Sequence, residues 1–528
     1  MSVTAHSDPA ARAGRREWIG LAVLSLPTIL LSLDISVLYL ALPHLTNDLK
    51  ANSVQQLWII DIYSFMTAGF LITMGGLGDR VGRRKLLLIG AATFGASSIV
   101  GAYAVNPVEL IVARAMIGIS AATLLPCAIG LVRHMFKDPH QMGQAMGIFF
   151  SCFTGGLALG PLVGGVLLDN FWWGSAFLMG VPVMVVLLIA GPLLLPEYRN
   201  EQAGPLDLPS VALALAAILP VVYGIKETAR AGWALGPIAA IVLGVAIGTV
   251  FISRQRRLDS PLLDLRLFSN LTFSTAMSVT LIAGIIMAGN TLLAALYLQS
   301  VKGLSPLVAG LYLVPQQLAT VAGSMIGPVL ARRFRISALM SAGLVISVAG
   351  FAVLTTVDST VGPYLLAGGL VLIGGGLSLP LVLAGNLVMA SAPPEKAGSA
   401  AGLMETSGEF GIAVGVAIMG SLGALVYRTS LPDRIPHVPA PAMHRAGESI
   451  TEAGSAATAL GGPAGAALLH QARVAFSTSL NVVAAVGGCI FLAIAVAVPI
   501  VLRGEGRPGQ EQHSQEAPEP IGAIGEAG

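Results

Sequence analysis

Fourteen apolar stretches of about twenty residues each, separated by polar breaks, constrain this chain more than any other feature. A bilayer core of about 30 Å is crossed by about twenty helical residues, because hydrocarbon offers the backbone no partner outside its own helix. The stretches run near 18–43, 55–77, 86–105, 108–132, 144–168, 175–196 and 207–225. They continue at 233–253, 271–298, 306–330, 337–357, 362–390, 399–427 and 474–502. Of 528 residues, 55% are hydrophobic and only 11% charged, where a soluble chain carries about 25%. The expected class is an all-α polytopic membrane protein.

The placement of Lys and Arg orients it. With the N-terminus inside, the segments on that side hold twenty of the 29 basic residues and the opposite segments hold eight, with Arg114 inside a span. That bias puts both termini in the cytoplasm and the chain in the cytoplasmic membrane. The long external segment 428–473 runs against it, as long loops often do. The tail 1–17 lacks a cleavable signal pattern, so Leu21–Leu33 belongs to a retained first span. Residues 503–528 are rich in Gly, Pro, Glu and Gln and are expected to be a disordered cytoplasmic tail. Cys127, Cys152 and Cys489 stand far apart in apolar runs, a pattern of buried thiols and not of a metal site or disulfide. No phosphate-binding G-x-x-x-x-G-K-[ST] loop is present, so a proton gradient, and no bound cofactor, is the expected energy source. A net charge of +2 gives no ground for a nucleic-acid partner.

Two glycine-rich elements recur at one offset. Gly75–Leu87 reads GGLGDRVGRRKLL, and Gly327-Pro-Val-Leu-Ala-Arg-Arg is a worn copy with Ala331 where Asp79 stands. Gly156 and Gly408 each begin a second glycine-rich stretch, 81 residues after Gly75 and Gly327 respectively. Such matched repeats suggest two six-span halves, 18–196 and 271–502, with 197–270 inserted between them as two further spans.

Ionisable residues inside spans carry the chemistry, since a charge there costs about 2.5–3.5 kcal/mol on insertion scales and must face water or a partner. Asp34 lies in the first span and Asp61 in the second, one turn from the outer surface. Asp34 would bind protons or tune their route, and Asp61 would attract cations at the outer mouth; interfacial solvation is the alternative for either. Arg114 in the fourth span must pair with a carboxylate, face water, or snorkel. Glu405 and Glu409 are four residues apart, hence on one helix face, where two carboxylates repel and favour a shared proton or cation. Tyr63, Asn290, Gln316 and Asn386, with Pro315 and Gln317, are candidates to line the same cavity or to bond helix to helix.

The loop spacing G-x-L-x-D-R-x-G-R-R closely resembles the loop after the second helix of major facilitator superfamily transporters. The stretch Gly156-Leu-Ala-Leu-Gly160-Pro161-Leu-Val-Gly164-Gly165 resembles that superfamily's antiporter motif G-x-x-x-G-P-x-x-G-G at every specified position. The order of features resembles the fourteen-span drug:proton antiporters, exporters of quaternary ammonium and other lipophilic, dye-like cations. The resemblance implies a major facilitator fold and makes Gly75, Asp79, Arg80, Gly82 and Arg83 a gate latch between domains. It makes Gly156, Gly160, Pro161, Gly164 and Gly165 the mark of an exporter. It gives Arg114 a part in proton transfer, and Asp34, Asp61, Glu405 and Glu409 the tasks of proton coupling and cation recognition. It implies a proton-driven multidrug antiporter working as a monomer in the lipid bilayer. The alternative is a proton-driven exporter of one specific antibiotic or metabolite. A nutrient symporter conflicts with the antiporter motif. A membrane enzyme would need a cluster of the kind that His134, Asp138 and His140 alone do not make.

Overall fold

The computed structural model describes residues 13–199, 207–231, 234–258, 265–360, 362–391 and 397–502. The N-terminal residues 1–12 and the tail 503–528, where disorder is expected, lie outside the described residues. The chain forms helices α1 (Arg15–Leu49), α2 (Ser53–Val81), α3 (Arg83–Ala102), α4 (Pro107–Met135), α5 (Pro139–Asn170), α6 (Ser175–Leu178) and α7 (Gly180–Leu194). Next come α8 (Leu208–Ala231), α9 (Leu235–Gln255), α10 (Leu271–Leu296), α11 (Pro306–Ala331), α12 (Ile336–Leu354) and α13 (Pro363–Ser391). The last are α14 (Ala397–Ser430), α15 (Ala440–Glu448), α16 (Ile450–Leu460) and α17 (Gly462–Val501).

Local chemistry sets the ends. Asn52 Oδ1 accepts the Gln55 N–H at 2.9 Å while Gln55 Oε1 accepts the Asn52 N–H at 3.0 Å, which closes the first turn of α2. Asn106, Asp138 and Ser305 cap α4, α5 and α11, each followed by a proline whose missing N–H costs nothing there. Among the described residues, twelve helices are long and apolar enough to cross a membrane. The bent α2 (Ser53–Leu71 and Thr73–Val81, 54° apart) and the 26-residue α11 are compatible with the expected fourteen. An even number of crossings returns both ends of the chain to one face.

Within the first group α1 packs on α5, α2 on α4, and α3 on α4 and α7. Within the second, α10 packs on α14, α11 on α13, and α12 on α13 and α17. The groups meet along two seams, α2 against α14 and α5 against α11. The matched 81-residue spacing within each half pairs Gly75 of α2 with Gly327 of α11 and Gly156 of α5 with Gly408 of α14, so both seams join the same two kinds of helix, as a two-fold relation demands.

The seams are closed at the face away from the termini. A Cβ on Gly165 of α5 would stand 2.5 Å from the Leu307 Cα of α11, so the two backbones touch. Asp169 there accepts hydrogen bonds from the Ser305 hydroxyl at 3.0 Å and the Leu307 N–H at 3.3 Å. At the terminus-bearing face, Gly143 and Gly147 of α5 and Gly402 and Gly408 of α14 have open space beside them.

Three local expectations need correction. The segment 428–473 is largely helical: α14 runs to Ser430, α15 and α16 follow, and α17 begins at Gly462, well before 474. Pro463 in its first turn suits a helix start, and a run of small residues extends the helix beyond the apolar span. The Ser455 hydroxyl donates to Asn47 Oδ1 at 2.7 Å and Gln56 Nε2 to the Ser449 hydroxyl at 3.4 Å, which lays this cap over the ends of α1 and α2. Cys489 is exposed, not buried, on a face of α17 that it shares with exposed Leu492 and Val496. The seventh span does not end at 225: α8 continues to Ala231 and carries Lys226 as a buried residue and not as part of an external segment.

The α8–α9 hairpin lies along the α2–α14 seam, with α8 touching both helices. Its ends on the terminus side are fastened by Arg254 Nη2 to Asp207 Oδ1 at 2.6 Å and by Gln255 Nε2 donating to the Ser210 hydroxyl at 2.6 Å.

Candidate functional site

Asp34 and Arg114 form the fixed point of the first group. Arg114 Nη1 meets Asp34 Oδ2 at 2.7 Å, Arg114 Nε donates to the Ile59 carbonyl at 3.2 Å, and the guanidinium lies 4.6 Å from the centre of the Tyr63 ring. One side chain from α4 thus uses its fork on α1, its Nε on the α2 backbone and its flat face on an α2 aromatic. Arg114 is 1% exposed, which excludes snorkelling.

Glu405 and Glu409 of α14 face this cluster across the seam. With Tyr63, Thr67, Leu125 and Phe153 they line a small cavity of about 20 Å³. Glu409 Oε2 is buried there with no hydrogen-bond partner among the described residues. An unsatisfied carboxylate oxygen shielded from solvent beside a second carboxylate favours a proton or a cation next to it. A larger apolar cavity of about 340 Å³ adjoins the same stretch of α14, lined by Phe65 and Gly69 of α2, Leu215 and Ile218 of α8, and Thr406 and Phe410 of α14.

The glycine motif of α5 serves two contacts. A Cβ on Gly156 would meet Ser32 Oγ at 1.9 Å, and one on Gly160 would meet Ser36 Cβ at 2.6 Å, so α5 lies backbone-close on the Asp34-bearing α1. Gly164 sits against Val37 of α1, while Gly165 touches Leu307 and the Pro161 carbonyl approaches Gly310 of α11. The motif therefore couples the helix carrying Asp34 to the seam between the groups. Its counterpart in α14 behaves alike: Gly411 and Gly415 lie against the Leu281 and Ile285 carbonyls of α10.

In the charged loop, Asp79 pairs with Arg83 at 2.6 Å, and Arg83 Nη1 donates to the Pro126 carbonyl at 3.0 Å. The Arg83 guanidinium lies over Gly130, and Gly82 adopts φ +111°, which a side chain would strain. Arg84 pairs with Glu197 at 3.4 Å. The partners of Asp79 and Arg83 belong to the first group of helices, and the partner of Arg84, Glu197, follows the end of α7. Gly75 sits near Pro126 of α4, and Arg80 follows Asp79 in the last turn of α2.

The structure thus gathers Asp34, Arg114, Tyr63, Glu405 and Glu409, and it sets Asp61 apart. Asp61 turns to α8, where Lys226 Nζ meets Oδ2 at 2.6 Å with both side chains 0% exposed. Interfacial solvation of Asp61 is excluded by that burial. Asn290 is buried in α10 with both amide atoms lacking a described partner, Gln316 is buried in α11, and Asn386 is exposed on α13. Gln317 binds helix to helix: its Nε2 donates to the Leu157 carbonyl of α5 at 3.2 Å. Reading the sequence missed Lys226, because it closes an apolar run and resembles the polar edge of a span. Its signal was the spacing Ile218, Val222, Lys226, which continues one buried face of α8.

The profile of the Major Facilitator Superfamily matches residues 24–416. The chain belongs to the major facilitator superfamily. It is a membrane transporter and not an enzyme. Over 95% of its length this facilitator is 35% identical to the whole of "Multidrug efflux pump LfrA" of Mycolicibacterium smegmatis. It is 34% identical, over 91% of its length and 97% of the relative's, to "Methyl viologen resistance protein SmvA" of Salmonella typhimurium. It is 32% identical, over 77% of its length and 82% of the relative's, to "Puromycin resistance protein pur8" of Streptomyces alboniger. Its fold is similar to that of a solved bacterial homolog of the human lysosomal transporter Spinster, in an inward-facing and unoccupied conformation. The TM-score is 0.67 and the identity 16%, with 94% of this chain and 100% of that one covered.

Proposed function

We propose that this facilitator exports lipophilic cations in exchange for protons by alternating access across the cytoplasmic membrane, with both termini in the cytoplasm. The observation that carries the reading is the buried, unpartnered Glu409 oxygen in a cavity shared with Glu405 and Tyr63, at the seam that must open and close. Two carboxylates on one helix face hold a cation or a proton better than either holds nothing. The Tyr63 ring, already beside the Arg114 guanidinium, offers an aromatic face to a cationic guest. The names of the relatives, a multidrug efflux pump and a methyl viologen resistance protein, supply the substrate class by similarity.

In the open-inward state the cation enters from the terminus-bearing face and neutralises Glu405 and Glu409. Loaded, the seam closes on that side and opens on the other, where protons replace the cation. Protons then leave inward and restore the anionic site. Asp34 accepts a proton on this route and in doing so releases Arg114, so that proton occupancy alters the α1–α2–α4 junction. The α5 glycine motif conveys that change to the α5–α11 seam. Membrane potential alone contributes about 2.3 kcal/mol per charge per 100 mV to such an exchange.

The test uses proteoliposomes, an imposed pH gradient and ethidium. Wild type should move ethidium only with the gradient, and Glu409→Gln should lose that movement by roughly tenfold or more. Movement that survives Glu409→Gln unchanged would remove the glutamates from the mechanism, and no movement in wild type would sink the cation assignment. A second reading, export of one antibiotic, draws on the similarity to the puromycin resistance protein and to the "Tetracenomycin C resistance and export protein" of Streptomyces glaucescens. Strong competition by one neutral antibiotic, without competition among cations, would favour it.

A further inference from the structure

Asp61 and Lys226 make a buried ion pair outside the Asp34–Glu409 cluster. The carboxylate comes from α2 and the ammonium from α8, one of the two inserted helices. They meet at 2.6 Å, fully shielded from solvent, and beyond each other neither finds a hydrogen-bond partner among the described residues. The ammonium also lies 4.0 Å from the centre of the Trp58 ring, one turn before Asp61 on α2. Below the pair toward the membrane centre, Leu215 of α8 presses on Gly69 so closely that a Cβ there would stand 2.7 Å from Leu215 Cδ2. From Trp58 to Gly69, then, α2 holds α8 by a salt bridge, a cation–π contact and the Leu215 side chain seated on Gly69.

The contact of α8 with α14 has different chemistry. Val222, Ile218 and Leu219 pack with Phe65 of α2 against Ala413, Ala417, Phe410 and Val414 of α14, an apolar patch with two alanines at its centre. An apolar surface with small side chains allows one helix to slide on another, whereas a buried ion pair cannot be stretched without stranding two charges. The two sides of α8 are thus unequal: a fixed side toward α2 and a slipping side toward α14.

We infer that Lys226 is the permanent counter-ion of Asp61, and that the pair fastens the α8–α9 hairpin to the first half so that it travels with α2 when the halves rock. Asp61 is then a positioning residue and not a carrier of protons or substrate. The hairpin becomes a flap that keeps the α2–α14 seam covered while α14 moves beneath it. The inference uses the rocking motion of the proposed transport cycle, but its first test needs no substrate.

That test is a double-variant cycle on the purified full-length protein, read as melting temperature. Lys226→Met and Asp61→Asn should each lower it by several degrees, because each leaves one buried charge or dipole without its partner. The double variant Asp61→Asn/Lys226→Met should return most of the loss, since replacing both partners of a buried pair is often neutral. Additive losses in the double variant would overturn the inference. In gradient-driven ethidium transport, Asp61→Asn should lose roughly tenfold or more and the double variant should recover at least about half of wild-type rate. A double variant as inactive as Asp61→Asn would show that the carboxylate has its own task in coupling or binding, and would overturn the positioning role. Cross-linking gives the mechanical arm. On a background without Cys127, Cys152 and Cys489, a disulfide between Val222→Cys and Ala413→Cys should stop transport until reductant is added. Transport that survives that disulfide would place the hairpin with the second half. Should no cation be transported at all, the melting cycle still decides the ion pair, so failure of the substrate reading is separable.

Discussion

At the scale of single residues, Arg114 is the group whose chemistry is least replaceable. It binds Asp34 with Nη1 and the Ile59 carbonyl with Nε while covering the Tyr63 ring. A lysine keeps the charge but has one nitrogen and no plane, so it can serve Asp34 or the carbonyl and not both. Arg114→Lys should forfeit one charged hydrogen bond, about 1.5–3 kcal/mol, and lower gradient-driven transport by roughly tenfold. The measurement is ethidium movement per imposed pH unit in proteoliposomes; an unchanged ratio would mean that charge alone suffices at this position.

At the scale of elements, the inserted hairpin combines a buried tether with an exposed-end clamp. Burial of the Asp207 carboxylate works to raise its pKa, but hydrogen bonds from Ser210 and the ion pair with Arg254 outweigh it and hold the value below the usual carboxylate range. A depressed carboxylate stabilises the fold above its unfolded value and loses that contribution as pH falls through its lower folded value. Asp207→Asn should therefore lower the melting temperature near neutral pH, and the gap to wild type should close as the pH is taken below about 4. Melting curves over that range check it; a gap independent of pH would show that the clamp acts by shape alone. Helix α5 shows the complementary principle. Its motif glycines, Gly156, Gly160, Gly164 and Gly165, are needed not for flexibility but because α1 and α11 occupy the space a side chain would fill.

At the scale of the whole molecule, the α5–α11 contact closes that seam at the face away from the termini. Asp169→Cys and Ser305→Cys, on the cysteine-free background, replace side chains that already meet across that contact and should form a disulfide that holds the halves in this state. Transport should stop on oxidation and return with reductant, and an oxidised variant that still transports would show that this seam does not open in the cycle. Thiol labelling at Gly402→Cys, where the backbone faces open space, should proceed in the locked protein.

Much of this was legible in the chain of amino acids. The length and number of apolar runs determined a polytopic helical membrane protein, because unpaired backbone groups are intolerable in hydrocarbon. The matched spacing of glycine-rich elements suggested two related halves but not which helices meet: the packing of α2 on α14 and of α5 on α11 came from the structure. The conjunction of a charged loop with G-x-x-x-G-P-x-x-G-G pointed to the superfamily before any packing was known. Asp34, Arg114, Glu405 and Glu409 stood out because charge inside a span must be accounted for. What only the tertiary structure decided is who accounts for it. Periodicity gives each helix its own faces but not its neighbours, so no rule of spacing could assign Arg114 to Asp34 across 80 residues, leave Glu409 Oε2 without a described partner, or give Asp61 to Lys226 on α8. Partner choice among buried charges is a property of helix packing, which depends on contacts far apart in sequence.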